Sequence, residues 1–435
     1  MILLIAENII HPKGLLPMDK IVINGGTPLV GTVEISGAKN AALPVLFGTI
    51  LTADRCVIEN VPEILDVDLT LEILEKMGAK VSRDHTTVEI DTSGVLPCQS
   101  PYELVSRMRG STYLIGAELG RFKKAKVGMT GGCNFGIRPI DQHVKGFKAL
   151  GATVDTRGGY VEAVADELVG TEVYFDMVSV GATVNVILAS VFANGTTVLE
   201  NAAREPHIVD LANFLNACGA NIIGAGTDTI KIKGVKELHG CTYAIIPDMI
   251  EAGTFMFAAA ATGGHVKINN VIPKHLDSIS AKLSEMGVVV EELDDAIIVR
   301  REGDMKNINV KTRPYPGFPT DMQPQMTALL CFAKGDSKVT EGVWDNRFRY
   351  VEELRKTGAY IDVAGETAIV HGGATELVGA PMRSVDLRAG AAMVIMGLAV
   401  KGRTEIIDIH TIERGYDNIV KKFRALGADI RKVKF

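Results

Sequence analysis

Apolar and polar positions along this chain follow one order, and the order repeats. A stretch of small apolar residues with helical character leads into a charged or glycine turn. A short alternating strand follows, such as Thr196-Thr-Val-Leu-Glu200, and then an amphipathic helix. Each amphipathic helix ends in a related form: Glu75-Lys-Met-Gly-Ala79, Lys148-Ala-Leu-Gly-Ala152, Asn216-Ala-Cys-Gly-Ala220, Ser284-Glu-Met-Gly-Val288, Arg355-Lys-Thr-Gly-Ala359 and Arg424-Ala-Leu-Gly-Ala428. The six glycines lie 68 to 73 residues apart. Each suits the position just past a helix, where a left-handed backbone carries no Cβ penalty. Alternating runs such as Thr229-Ile-Lys-Ile-Lys233 come next and read as strands. The unit is therefore helix, strand, helix, strand, strand, which is too long for a solenoid repeat and suits a compact α/β module.

The two ends of the chain complete each other. The sixth unit stops at Phe435 without a hairpin partner, while Ile21-Val-Ile-Asn-Gly25 has the layout of Ile230-Lys-Ile-Lys-Gly234. The N-terminal segment is expected to close the sixth unit, so that the chain crosses between halves near Lys39 and again near Ile246. Two three-unit halves able to close on a ligand follow from this; a continuous ring of six units is the competing arrangement.

Composition narrows the functional classes. With 435 residues and 47% hydrophobic content the chain can bury large cores. A net charge of −6 argues against a general nucleic-acid or anionic-membrane binder, so positive charge has to be gathered in one cleft if the ligand is anionic. Apolar runs such as Ala391 to Val400 fall well short of the ~20 residues that a membrane span needs. The opening Met1-Ile-Leu-Leu-Ile-Ala6 lacks the basic residues of a signal peptide, and the chain reads as soluble and cytoplasmic. Six scattered cysteines fit reduced thiols better than a disulfide framework. Phosphate-loop, nucleophile-elbow and zinc-protease motifs are missing, and no metal or cofactor is implied.

Aligning the units brings the candidate chemistry together. Four of the six loops before the second helix carry an arginine: Arg138, Arg204, Arg347 and Arg414. The starts of the first helices carry Lys39, Arg109, Ser179, Glu251, Asp321 and Arg388. Cations beside helix N-termini make an anion site, and cations drawn from both halves are expected to hold an empty cleft open by repulsion. Asp321 and Asp386 each read as a helix cap or as a base inside that pocket. Cys133 lies in the Gly-rich stretch Thr130-Gly-Gly-Cys-Asn-Phe-Gly-Ile-Arg-Pro-Ile-Asp141, near Arg138 and a helix start. It reads as a reactive catalytic thiol or as an exposed loop thiol. The other cysteines occupy core or unremarkable loop positions.

Several of these segments together carry a family resemblance. They are Ser36-Gly-Ala-Lys-Asn-Ala-Ala-Leu-Pro44, the Cys133 loop with Arg138-Pro-Ile-Asp141, Ser179-Val-Gly-Ala-Thr183, Asn201-Ala-Ala-Arg-Glu-Pro206, Phe318-Pro-Thr-Asp-Met-Gln323, Asp345-Asn-Arg-Phe348, Asp386-Leu-Arg388 and Glu413-Arg-Gly-Tyr416. In this order they resemble the enolpyruvyl transferase family, in the branch that acts on UDP-N-acetylglucosamine in peptidoglycan synthesis. The resemblance runs from about Met18 to the C-terminus. It implies an inside-out α/β barrel of two domains, each of three repeated βαβαββ-like units. Residues 18–38 plus 248–435 would form one domain and 39–247 the other, with the site in the cleft between them. Residues 1–17 have no counterpart and read as a disordered extension, or as lying upstream of a start at Met18.

The resemblance also implies roles. Lys39, Asn40, Arg138 and Arg414 would hold phosphoenolpyruvate. Arg109, Arg138, Pro139, Ile140, Asp141, Gln142, Ser179, Val180, Gly181 and Val343 would meet UDP-N-acetylglucosamine. Asp321 would take the proton of the sugar 3′-hydroxyl, Cys133 would act as general acid, and Lys39 and Arg414 would share in catalysis. Arg347, Asp386 and Arg388 would support them. No nucleic acid, membrane or obligate protein partner is implied. Met177 stands near Ser179 where some members carry a phosphate-reaching lysine, and Thr130 replaces a frequent proline. Two rival readings remain: an enolpyruvyl transferase acting on shikimate 3-phosphate, and a catalytically silent sugar-nucleotide binder.

Overall fold

A computed structural model describes residues 19–129 and 139–434. Its first unit runs α1 (Lys39–Gly48), a strand Arg55–Glu59, α2 (Leu65–Lys76) and a hairpin of strands Lys80–Asp84 and Thr87–Asp91. The pattern recurs around α3 (Tyr113–Phe122) and α4 (Asp141–Ala149), then α5 (Val180–Ser190) and α6 (Pro206–Ala217). It continues with α7 (Met249–Thr262) and α8 (Asp277–Glu285), α9 (Gln323–Leu330) and α10 (Val351–Arg355), and finally α11 (Leu387–Ala399) and α12 (Ile419–Ala425). The glycines at 78, 151, 219, 287, 358 and 427 all have φ between 88° and 107°, as the helix-end pattern predicts.

The small-residue helices are buried on nearly every side, and such a helix must be surrounded. In α7 every residue from Ile250 to Ala261 is buried. Helices α1, α3 and α5 pack together at the centre of one half, and α7, α9 and α11 at the centre of the other. The sheets lie outside them, which is the inside-out arrangement. They are separate sheets of four strands, except for one of three strands among the described residues. The buried apolar residues fall into two clusters. One spans Ala38 to Ile245; the other joins Ile21–Ile35 to Ile250–Ile430.

The N-terminal strand Lys20–Gly25 lies between strands Gly402–Ile407 and Asp429–Val433, antiparallel to both, and so completes the sixth unit. The two edge strands next to the crossings are exchanged. Val30–Glu34 precedes α1 yet pairs in parallel with His265–Asn269 of the fourth unit. Thr242–Ala244 precedes α7 yet pairs in parallel with Arg55–Glu59 of the first. A left-handed asparagine pins each exchange, since Asn tolerates φ > 0 better than most residues. Asn60 donates to Ile245 O at 2.8 Å and Asn270 to Ile35 O at 2.6 Å, both at φ 55°.

The crossing segments then bond directly to one another. Ala38 N donates to Ile246 O at 2.8 Å, and Asp248 N donates to Ser36 O at 2.9 Å. Gly37 sits between these two bonds, and a Cβ there would lie 1.7 Å from Asn60 O. Gly37→Ala is therefore expected to lower stability by about 1–3 kcal/mol through backbone displacement. Denaturant unfolding of the variant checks this, and an unchanged midpoint would show that the crossing is not tightly held.

Candidate active site

Lys39 is the first residue of α1 and is almost wholly buried. Its Nζ lies 2.7 Å from Oδ2 of Asp66, a buried carboxylate in the first turn of α2. Arg414 reaches the same carboxylate from the other half, with Nε 2.8 Å from Oδ1 and Nη2 3.1 Å from Oδ2. Burial acts most strongly on Asp66 and pushes it up, but Lys39 and Arg414 together hold it below the usual carboxylate range. Lys39 moves down as well. Burial disfavours its ammonium most, Asp66 opposes this, and repulsion from Arg414 and Arg388 adds to the downward shift. An anion entering beside Lys39 would restore the balance.

Asp321 lies in a one-turn 3-10 helix, Thr320–Met322, that leads into α9. Its side chain is not a cap. Oδ2 accepts from Arg388 Nη2 at 2.9 Å, Oδ1 lies 3.6 Å from Arg347 Nη2, and Asn40 Nδ2 of α1 reaches Oδ2 at 3.5 Å. Asp386 does cap a helix: it accepts from the backbone of Arg388 and Ala389 at the start of α11. The capping alternative thus holds for Asp386 and not for Asp321. Arg388 lies over the Tyr416 ring, 5.5 Å from its centroid, and the Tyr416 hydroxyl is tied to Thr254 and Gln325.

Glu341 was not singled out from the sequence, yet its buried carboxylate organises this region. Oε1 accepts from Val343 N at 2.9 Å, Trp344 N at 3.2 Å and Thr312 Oγ1 at 2.7 Å, while Oε2 accepts from Thr320 Oγ1 at 3.1 Å. One carboxylate therefore sets both the loop of Val343 and the turn that carries Asp321.

The remaining expected residues gather in the first half around His143. Arg109 opens the 3-10 turn Arg109–Thr112 before α3, and its charge acts on His143. Asp141 begins α4, with Pro139 and Ile140 just ahead of it. Gln142 Nε2 bonds to Asp141 at 2.9 Å and to Asp176 at 3.1 Å. Ser179 caps α5 by accepting from Ala182 N, and Val180 begins the helix. Gly181 lets this end approach His143, because a Cβ there would lie 2.8 Å from Nε2. Met177 is exposed, and so is Arg204, which the loop pattern had grouped with the cleft arginines. Cys133 and Arg138 lie outside the described residues, as do Thr130 and residues 1–17. Among the described residues no group is placed to hold a metal ion, and no helix is long and apolar enough to cross a membrane.

A family model described as EPSP synthase (3-phosphoshikimate 1-carboxyvinyltransferase) matches residues 23–423. The chain belongs to the EPSP synthase family. Within that family it is 56% identical to UDP-N-acetylglucosamine 1-carboxyvinyltransferase 3 of Caldanaerobacter subterraneus subsp. tengcongensis over 417 residues, covering 96% of this chain and 100% of the relative. It is 57% identical to UDP-N-acetylglucosamine 1-carboxyvinyltransferase of Clostridium botulinum, over 95% of this chain and 99% of the relative. Among solved structures, the enolpyruvyl transferase NikO from Streptomyces tendae superposes with a TM-score of 0.86 at 27% identity, covering 97% of this chain and all of NikO. EPSP synthase from Acinetobacter baumannii, at 20% identity and a TM-score of 0.74 over 96% of this chain and all of the neighbour, shares the fold.

In this EPSP synthase family member Lys39, Arg388 and Arg414 are each paired with a carboxylate. Asp66 and Asp321 lie among the basic residues and join the halves. Tyr315 N adds a further tie by donating to Glu205 Oε1 at 3.3 Å, and Glu63 N donates to Asp417 Oδ2 at 3.1 Å.

His143 generates a pH prediction. Burial, with Arg109 adding and Asp141 opposing, lowers its imidazole to about 3. The unfolded chain takes up this proton below pH ~6.5 while the folded chain refuses it, so stability falls as pH drops from there towards 3. The slope contributed is about 1.4 kcal/mol per pH unit. His143→Gln should remove this part of the acid limb, and unfolding free energies between pH 7 and 4 check it. An unchanged slope would contradict the neutral buried assignment.

Proposed function

We propose that this chain transfers the enolpyruvyl group of phosphoenolpyruvate to the 3′-hydroxyl of UDP-N-acetylglucosamine, releasing phosphate, as in the first committed step of peptidoglycan synthesis. The carrying observation is one carboxylate, Asp321, set in a cationic cleft between two halves and within reach of Asn40 opposite. The two relatives at 56–57% identity over nearly the whole chain support the choice of sugar nucleotide.

In this reading residues 18–38 with 248–435 form one domain, 39–247 the other, and substrates bind where they meet. The exchanged edge strands support that division. Lys39 and Arg414, together with Arg138 and Asn40, take the phosphate and carboxylate of phosphoenolpyruvate. Arg109, Arg138 to Gln142, Ser179 to Gly181 and Val343 take the sugar nucleotide. Asp321 accepts the 3′-hydroxyl proton as the oxygen attacks C2 of phosphoenolpyruvate, and Cys133 delivers a proton to C3. The resulting tetrahedral adduct loses phosphate from C2 while a proton leaves C3 to a basic group of the site, and the regenerated double bond gives the enol ether. Arg347 and Arg388 position Asp321, and Asp386 positions Arg388 through the start of α11. Fixed guanidinium and ammonium charge stabilises the shifting anionic charge.

The test is phosphate release with phosphoenolpyruvate and either UDP-N-acetylglucosamine or shikimate 3-phosphate. Turnover is expected with the sugar nucleotide; turnover with shikimate 3-phosphate alone, or with neither acceptor, would overturn the proposal. Asp321→Asn should lower kcat roughly 10²- to 10⁴-fold with little change in nucleotide affinity. Cys133→Ala, which has no proton to give, should be similarly impaired. Near-normal turnover in Asp321→Asn would move the base elsewhere.

A further inference from the structure

Three cysteines meet at one edge of the first half, at the far end of α6 from the cleft. Glu205, which contacts Tyr315 across the cleft, precedes α6, and Cys218 follows the helix roughly 18 Å further on, given its 12 residues. Cys241 immediately precedes the exchanged strand Thr242–Ala244, and Cys56 lies in the adjoining strand Arg55–Glu59. All three are free thiols. Cys218 Sγ and Cys241 Sγ stand 3.3 Å apart. Their backbones already run together: His239 N donates to Cys218 O at 2.9 Å, and Val57 N donates to Cys241 O at 2.9 Å. Cys56 and Cys218 are fully buried, whereas Cys241 is partly exposed and gives access from solvent.

We propose that Cys218 and Cys241 form an oxidative modification site, which a two-electron thiol oxidant of the peroxide class converts to an intramolecular disulfide. Closing the sulfurs from 3.3 Å to the ~2.0 Å of a disulfide needs a shift of little more than one ångström. The Cys241 thiolate attacks one peroxide oxygen, forming an S–O bond, breaking O–O and releasing water. Cys218 then attacks the sulfenic sulfur, forming S–S and releasing the second oxygen as water. Both thiol protons end in water, the two sulfurs lose one electron each, and the peroxide gains both. A hydrogen bond with Cys56 together with burial raises the Cys218 thiol, and burial raises that of Cys241. Each therefore gives up its proton only as its bond forms, and solvent reaching the partly exposed Cys241 carries the protons away.

The bond would fasten the end of α6 to the strand that leads into the Ile246–Asp248 crossing. That strand is already held to α6 by Tyr243, whose hydroxyl donates to Asp210 Oδ1 at 2.6 Å.

The experiment treats the full chain with excess hydrogen peroxide, alkylates the remaining thiols and maps peptides without reduction. The expected product is a linked peptide pair containing Cys218 and Cys241, lighter by two hydrogens and separated by dithiothreitol, with Cys98 and Cys331 alkylated. In Cys241→Ser the link should vanish and Cys218 should remain alkylatable. Overoxidised Cys241 beside a free Cys218, linkage of either residue to Cys56 or Cys133, or an unmodified pair while Cys133 is oxidised would each overturn the proposal.

Discussion

Buried positive charge is the constraint around which this molecule is organised. Lys39, Arg347 and Arg388 are each less than a tenth exposed, and a desolvated cation is costly unless it is paired. Asp66 and Asp321 supply that pairing, and each also reaches across the cleft. Asp66 stands in the first half and binds Arg414 of the second, while Asp321 stands in the second and meets Asn40 of the first. The same two carboxylates therefore gather the cations and set the spacing of the halves.

The repeated unit explains how one chain builds such a cleft. A helix of small apolar residues is stable only inside other helices, so three of them make a centre and their sheets take the outside. The edge strands beside the two crossings pair within their own halves, so backbone bonds join the halves where the crossing segments meet, Ala38 to Ile246 and Asp248 to Ser36, and side chains join them elsewhere. Gly37 and the left-handed Asn60 and Asn270 let the crossing strands approach this closely.

Much of this is legible in the sequence, for physical reasons. Glycine at a helix end and alternating strands are local signals, and they gave the six units and the role of the N-terminal strand. Comparison of equivalent loops singles out Asp321, Lys39, Arg388 and Arg414, and Asp321 meets Arg388 while Lys39 and Arg414 share Asp66. Asp66 and Glu341 were missed because local sequence describes them differently. An aspartate in the first turn of a helix reads as a dipole partner, and its contact with Arg414 spans 348 positions. Glu341 follows a strand and looks like a surface residue, yet four donors converge on it. Asp386 was left between cap and base, and only its two backbone bonds decide for the cap.

The account rests on the bond between Asp66 and Arg414 as a true link between the halves, and a double-mutant cycle measures it most directly. Unfolding free energies would be compared for the parent chain, Asp66→Asn, Arg414→Gln and the double variant. A coupling of about 1–3 kcal/mol, with the double variant losing less than the two single losses combined, is the predicted result. Losses that add to within about 0.5 kcal/mol would contradict it, because the cleft would then be held by something other than the charges gathered in it.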